Sequence, residues 1–468
     1  MKTAVLAILI FIFSFFAFTV SARPFNTTDS YPNNLVAINW LLNKKLDLTN
    51  LKEPISERGI ENILVTNSQG VSYPKTPVII GIINIPGFFI LDKWFHVTNL
   101  TDNEIVFSDY PQYAGKYLAS LYCALSAVLL FLFFKKITKN TKSSFLSAIT
   151  FAFATNIFST ASQANWQHGP SLLLISIIFL MSLAKKKTTI VLITLGIVTA
   201  LLAVIRISNL FYYPFLFLLL KEETNPKFKI LIYSLVVFLG ISTSIGLSVF
   251  WNIPYGYNSA FITALKSVNI PIAFLNLISL LISPNVGLFV YNPILLLSAV
   301  SIYKAIKIKN YSNYLKFLFP TVILFLLFTS VWPYWTGGTS LGARMLTELL
   351  PILCFSIAIL LSKHRTRLVK FSFVTLFLIS IFISLLTTFA IDGWWFRFYT
   401  KQTPQSQLSD AWYYKPTLFQ YLLKTRIIYF EKLKKENGQL TLYTNMYRPN
   451  FKTLNIINIY SSKKTILD

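Results

Sequence analysis

The sequence predicts an all-α membrane protein of about 11 transmembrane helices, with a large first external loop that carries interfacial helices. Three observations predict it. Hydrophobic side chains make up 54% of the chain and charged ones only 13%, against roughly 45–50% and 25% in soluble domains. The apolar residues come in continuous runs, not in the period-two alternation of a lipid-facing barrel, so helices are the backbone form a bilayer allows. The net charge of +25 lies in short Lys and Arg clusters between those runs. That is the positive-inside pattern, not the single basic face of a nucleic-acid binder.

A span needs about 20 apolar residues, and on that ruler the runs fall near 4–22, 117–134, 144–162, 170–184, 188–205, 208–220, 229–250, 285–303, 314–331, 346–361 and 371–391. Val78 to Trp94 and Ile270 to Ile282 are further apolar stretches with the character of re-entrant or interfacial helices. The basic clusters Lys135/Lys136, Lys185/Lys186/Lys187, Lys227/Lys229, Lys304/Lys307/Lys309 and Lys363/Arg365/Arg367/Lys370 recur at alternate ends of successive spans. With Lys2 they place the amino terminus in the cytoplasm and the carboxyl terminus outside. Val20-Ser21-Ala22 resembles a signal-peptidase site, but the run before it is long for a signal sequence, so the first span is expected to stay. Residues 1–391 therefore read as one polytopic transmembrane domain, and residues 392–468 as an external C-terminal tail or small subdomain. Aromatic residues from Trp394 to Tyr414 suit interfacial anchoring or a cover over an external site, and strand-like alternation appears near Leu454 to Tyr460. Cys123 and Cys354 both lie within apolar runs, which supports neither a disulfide framework nor a thiolate metal site.

The first external loop, about 23–116, is far longer than an ordinary connection and holds nine of the chain's 17 acidic residues, from Asp29 to Asp109. Leu35 to Leu42 has the spacing of a helix lying along the membrane interface, apolar side down, with Asn33, Asn34, Asn39 and Asn43 toward water. Asp29 precedes it. Two readings of Asp29 stand: an N-cap for that helix, or a carboxylate held at headgroup depth to meet a lipid phosphate ester and a soluble acceptor together.

Other charges fall at membrane depth. Arg206 ends the fifth span, where it either snorkels to headgroups or serves a function. Arg344 and Glu348 are four residues apart, which places them on one helix face, where they can pair. They follow a Gly-rich loop, Trp332 to Ser340, whose glycines would free backbone N–H groups for an anion while Arg344 offers a planar fork of donors. His168, in Asn165-Trp166-Gln167-His168, stands near the outer end of a helix pair, structural or functional.

In this order and topology the chain resembles the GT-C superfamily of polytopic glycosyltransferases, nearest the bacterial group similar to protein mannosyltransferases and aminoarabinose transferases. Four places carry the resemblance: Asp29-Ser30-Tyr31 with Leu41 to Leu48, Tyr73-Pro74-Lys75-Thr76-Pro77, Ile282 to Pro293, and Trp335 to Arg344 running into Glu348-Leu349-Leu350-Pro351. The resemblance implies sugar transfer from a polyprenyl-phosphate carrier to a glycan, lipid or protein acceptor on the non-cytoplasmic side. Asp29 would be the catalytic carboxylate, with Arg344, Arg206, Lys75, His168 and Glu348 around the substrate and its phosphate. Many members have two adjacent acids where this chain has Asp29-Ser30. The cofactor is therefore undefined, and a divalent metal lacks the support of a paired-acid motif. Two other classes fit a polytopic chain with intramembrane charges: a lipid-linked sugar transporter or flippase, and a catalytically inactive membrane scaffold.

Overall fold

The computed structural model describes residues 2–20, 29–95, 100–184, 188–213, 226–250, 269–307, 313–338, 342–364, 366–389, 407–412, 428–436, 439–450 and 455–465. Helix α1 (Lys2–Val20) leads into the first loop region, which folds as α2 (Tyr31–Asn43), α3 (Lys52–Glu57), a two-stranded hairpin (β1, Leu64–Thr66; β2, Ser72–Pro74), α4 (Val78–Phe95) and α5 (Asp102–Phe107). Then follow α6 (Tyr110–Thr138), α7 (Thr141–Phe153), a π turn (Ile157–Ala161), α8 (His168–Ser182), α9 (Thr189–Ile205) and a 3₁₀ segment (Ile207–Tyr212). The second half holds α10 (Pro226–Phe250), α11 (Ile270–Ile282), α12 (Leu288–Tyr291), α13 (Leu296–Lys307), α14 (Asn313–Val331), a 3₁₀ segment (Arg344–Leu349), α15 (Leu350–Lys363), α16 (Arg367–Phe389) and α17 (Gln407–Ala411). A three-stranded antiparallel sheet in the order β3 (Ile428–Glu436), β4 (Gln439–Asn450), β5 (Asn455–Thr465) follows. The fold is nearly all-α; its β elements are the small hairpin and this sheet, whose β5 includes most of the stretch near Leu454 to Tyr460 read as strand-like.

Among the described residues four helical segments are long and apolar enough to cross a membrane: Lys2–Val20, Tyr110–Thr138, Arg344–Lys363 and Arg367–Phe389. Four more apolar helices are shorter, His168–Ser182, Thr189–Ile205, Ile270–Ile282 and Leu318–Val331. Their outward faces fit a lipid surrounding. On α1, Ile8, Phe13 and Phe16 are exposed, as are Leu368, Phe371, Leu378 and Phe382 on α16. Bands of that size on a water-facing surface would drive association, whereas lipid accepts them.

The described helices do not confirm the count of about 11 spans. The expected run 285–303 is broken into α12, a 3₁₀ turn and α13, because Pro293 lacks the N–H that would continue the helix. The run 144–162 ends its α-helix at Phe153 and re-forms as a π turn. The run 208–220 begins as a 3₁₀ segment, and its residues from 214 lie outside the described ones. Also outside them are Ser21 and Ala22, Lys185 to Lys187, Arg365, Trp394 to Phe396, Tyr413, Tyr414 and Leu454.

Two ends of the helical body are chemically distinct. At one end Lys135 bonds the Thr3 hydroxyl and Lys136 Nζ donates to Leu183 O at 2.9 Å, which gathers the starts and ends of α1, α6 and α8 beside basic clusters. The Phe355 ring packs against Phe133 and Phe134 in that region, with centroids 5.0 and 5.7 Å away, and Phe133 in turn meets Phe179 at 5.0 Å. His364, just beyond α15, has its pKa lowered by burial and by Lys304 and Lys363, so those lysines converge as well. The opposite end holds the first-loop helices and the polar residues described next.

Candidate functional site

Helix α2 is the floor of the site, and it is not an interfacial helix. Residues Tyr31 to Asn39 are all buried, the asparagines included. Asn33, Asn34 and Asn39 turn toward protein partners, not water. Asn33 Nδ2 donates to Asp29 O at 2.9 Å and to Asn165 O at 3.0 Å, and its Oδ1 accepts from the Thr76 hydroxyl. Asn165 Nδ2 donates to Asn34 Oδ1 at 2.7 Å. Asn39 Nδ2 reaches Asp47 O at 2.6 Å and exchanges bonds with Asn50, while Asn43 Nδ2 donates to Asn39 Oδ1 at 2.9 Å. A buried amide must find such partners or bear the loss. Tyr31 adds a rivet: its hydroxyl donates to Val106 O and accepts from Arg58 Nη1 at 2.7 Å, and burial pushes its pKa up to about 12.

This network sets the backbone at Asp29. The N-cap position of α2 belongs to Ser30, with no side-chain cap bond, so the cap reading of Asp29 does not hold. Its side chain meets Arg344 instead, Nη2 to Oδ2 at 3.1 Å, with 45% of the Asp29 side chain exposed against 11% of Arg344. The guanidinium also lies over the Trp166 ring, Cζ 4.9 Å from the centroid, a cation–π contact that holds its plane. Trp166 precedes α8 in the same segment as Asn165, so α2, the 162–168 segment and the start of Arg344–Leu349 converge on one guanidinium.

A second cluster lies deeper. Glu348 is wholly buried; Arg206 Nη1 donates to its Oε2 at 2.6 Å, and His168 Nδ1 stands 2.8 Å from its Oε1. Arg206 Nη1 is also 3.3 Å from His168 Nδ1. Arginine only donates, so a proton on Nδ1 satisfies the shorter carboxylate contact and leaves the arginine contact as a close approach. Tyr212 donates to Glu348 O and Arg206 Nη2 approaches Met345 Sδ at 3.2 Å. The cluster is electrically closed: one carboxylate, one guanidinium, one imidazole, all desolvated.

Several expectations change here. Arg206 does not snorkel, since it is 6% exposed and bound inward. The expected Arg344–Glu348 pairing gives way to Arg344–Asp29 and Arg206–Glu348–His168. Lys75 is exposed, and its backbone N–H donates to Ile63 O at 2.8 Å; the neighbouring Thr76 is the residue of that motif which joins the site. In the Gly-rich loop the Gly337 amide is engaged within the loop itself. Gly337 donates to Tyr334 O at 3.1 Å, and Gly337 and Gly338 have φ of 81° and 70°, so these glycines serve a turn. Residues 339–341 of that loop lie outside the described ones.

Sequence reasoning missed the residues that brace this surface. Gln407 in α17 accepts from Thr336 N and Oγ1 at 3.1 and 2.9 Å, and Asn285 Nδ2 donates to Asp410 O at 2.8 Å. Trp412 Nε1 donates to Ser279 Oγ at 2.7 Å. The tail segment thus straps the 333–337 loop to the end of α11. No local pattern marks Gln407 for this, because its partners are more than 70 residues away in sequence. Arg344 engages the Asp29 carboxylate, and no group of three His, Cys, Asp or Glu that could hold a metal stands together among the described residues.

Comparison of the sequence with protein-family models and with curated proteins finds no match.

Proposed function

We propose that this chain is a membrane glycosyltransferase of GT-C type, which moves a sugar from a polyprenyl-phosphate carrier to a glycan, lipid or protein acceptor on the non-cytoplasmic side. The observation that carries the reading is the Asp29–Arg344 ion pair. It joins a carboxylate from the loop after the first helix to a guanidinium that opens a late span, and glycosyl transfer from a lipid phosphate needs one of each. The acceptor oxygen forms a bond to the anomeric carbon as the bond from that carbon to the phosphate oxygen breaks. The electron pair leaves with the polyprenyl phosphate, and the acceptor proton passes to Asp29. Arg344 offsets charge as it grows on the departing phosphate. Arg206 and His168 are engaged by Glu348 and in this reading hold the site's shape.

The end that gathers Thr3, Lys135, Lys136 and Leu183 is the cytoplasmic one in this proposal, by the positive-inside tendency, and Asp29 and His168 lie toward the other side. A second reading, a lipid-linked sugar flippase, draws on the buried Glu348 cluster, since transporters keep paired charges at membrane depth.

The test uses full-length protein in proteoliposomes with a labelled polyprenyl-phosphate sugar. Transfer to an acceptor outside the vesicle supports the proposal; movement of the intact carrier without transfer supports the flippase. Asp29→Asn is expected to lower transfer by about 10² to 10⁴ while the thermal unfolding profile in detergent is unchanged. Full transfer by that variant would remove Asp29 as the base.

A further inference from the structure

Arg344 uses only part of its donor capacity. An arginine presents Nε–H and one Nη–H along a single edge, the fork that grips carboxylate or phosphate with two parallel bonds. Here Nη2 on that edge binds Asp29 Oδ2 at 3.1 Å, while Nε is buried and, among the described residues, has no hydrogen-bond partner. The Trp166 ring backs the guanidinium plane. Asp29 lies on the open side, with 45% of its side chain exposed. The fork is therefore half filled by a partner that solvent can reach.

We infer that Arg344 is a phosphate seat held in reserve by Asp29, and that an incoming phosphate ester displaces the carboxylate, fills Nε and Nη2 together and releases Asp29 to act as a base. The inference rests on the glycosyltransferase reading and deepens it by coupling the two charges in time. Before donor binds, the Asp29 carboxylate is engaged by the Arg344 guanidinium. Once the phosphate takes the fork, the carboxylate is free of its cation beside the acceptor hydroxyl. A site built this way does not activate water or acceptor in the absence of donor. The exchange breaks no covalent bond, and its charge balances as one anion replaces another on the guanidinium.

Competition makes a counterintuitive forecast: removing the supposed catalytic acid should strengthen phosphate binding. Affinities of full-length protein in detergent are measured by isothermal titration with two probes, polyprenyl monophosphate and inorganic phosphate. Asp29→Asn is expected to bind polyprenyl phosphate about 2- to 5-fold more tightly than the parent, the scale of a part-exposed ion pair. Arg344→Gln should bind about tenfold or more weakly, as for lost bonds to a charged group, and Arg344→Lys should fall between, because it keeps the charge and loses the fork. If Arg344→Gln does not fold, the lysine variant carries the test, and parent-like affinity in it would overturn the fork. The same response with inorganic phosphate assigns the seat to phosphate alone; a response with polyprenyl phosphate only assigns it to the lipid-linked ester. Equal or weaker binding by Asp29→Asn overturns the exchange, as does an absence of binding by the parent. Weaker binding together with lost transfer sinks the exchange and leaves the base role standing. Absence of transfer by the parent protein sinks the glycosyltransferase reading whatever the titration shows, whereas full transfer by Asp29→Asn removes only the base role.

Discussion

Glu348 shows what a single buried charge demands. A carboxylate with no exposure persists only if cations and donors replace its water, and Arg206, at 2.6 Å, and His168, at 2.8 Å, do so. Removing one partner strands the rest. Arg206→Met should therefore destabilise the protein by about 3–5 kcal/mol, read as a lowered thermal midpoint in detergent. The double variant Arg206→Met with Glu348→Leu removes both charges and should regain most of that loss. A double variant as unstable as the sum of its parts would mean that Arg206 and Glu348 do not depend on each other. His168→Ala is expected to have a smaller effect than Arg206→Met, because it removes a neutral donor and leaves the ion pair intact.

Among the elements, α2 departs most from its appearance in sequence. Its alternating Asn and apolar residues have the pattern of an interfacial helix, yet its first turns are enclosed by α4 and α6. Close approach is possible because two glycines face it. A Cβ on Gly81 would lie 2.4 Å from Val36 Cγ1, and one on Gly115 would lie 2.4 Å from Asn34 Nδ2. Gly81→Ala should thus cost about 1–3 kcal/mol, the usual cost of overpacking. Adding Val36→Gly removes both side-chain atoms the new methyl would meet, Cγ1 at 2.4 Å and Cβ at 2.5 Å, so the pair should be less unstable than the sum of the single variants. Simple additivity in chemical or thermal unfolding would show that α4 and α2 are not in contact at this point. Because α2 carries the backbone at Asp29, Gly81→Ala should also reduce transfer under the proposed function.

On the scale of the whole molecule, the helices segregate chemistry to two ends: basic residues with Thr3 and Leu183 at one, the Asp29–Arg344 and Glu348 clusters toward the other. The topology proposed from this is open to direct measurement. Single cysteines at Asp29 and Gly338, in a chain with Cys123 and Cys354 replaced, should react with impermeant reagent from the non-cytoplasmic side. Cysteines at Lys186 and Arg365 should react only from the cytoplasm. Labelling of positions 29 and 338 from opposite faces would end both the topology and the proposed function. The strap of Gln407 on Thr336 adds an effect at a distance: Gln407→Ala should loosen the 333–337 loop, measured as faster amide exchange there, with the thermal midpoint little changed.

The sequence by itself determined the class of the molecule and the residues worth watching. Scarce charge and long apolar runs require lipid around much of the surface, a solvent choice that depends on composition and needs no contact map. The concentration of acids in the first loop and the isolation of Arg206, His168, Arg344 and Glu348 were legible for the same reason, since charges among apolar runs stand out. Which charge meets which was decided only by tertiary structure. Arg344 and Glu348 are four apart, and on an α-helix they would share a face. Their segment is 3₁₀, with about three residues per turn, so positions four apart point in different directions. Arg344 then pairs with Asp29, 315 residues away, and Glu348 with Arg206, 142 residues away. Spacing within one element cannot foretell partners of that kind, because the packing of α2, α8 and α9 around a broken helix start sets where each charge can be desolvated with its opposite.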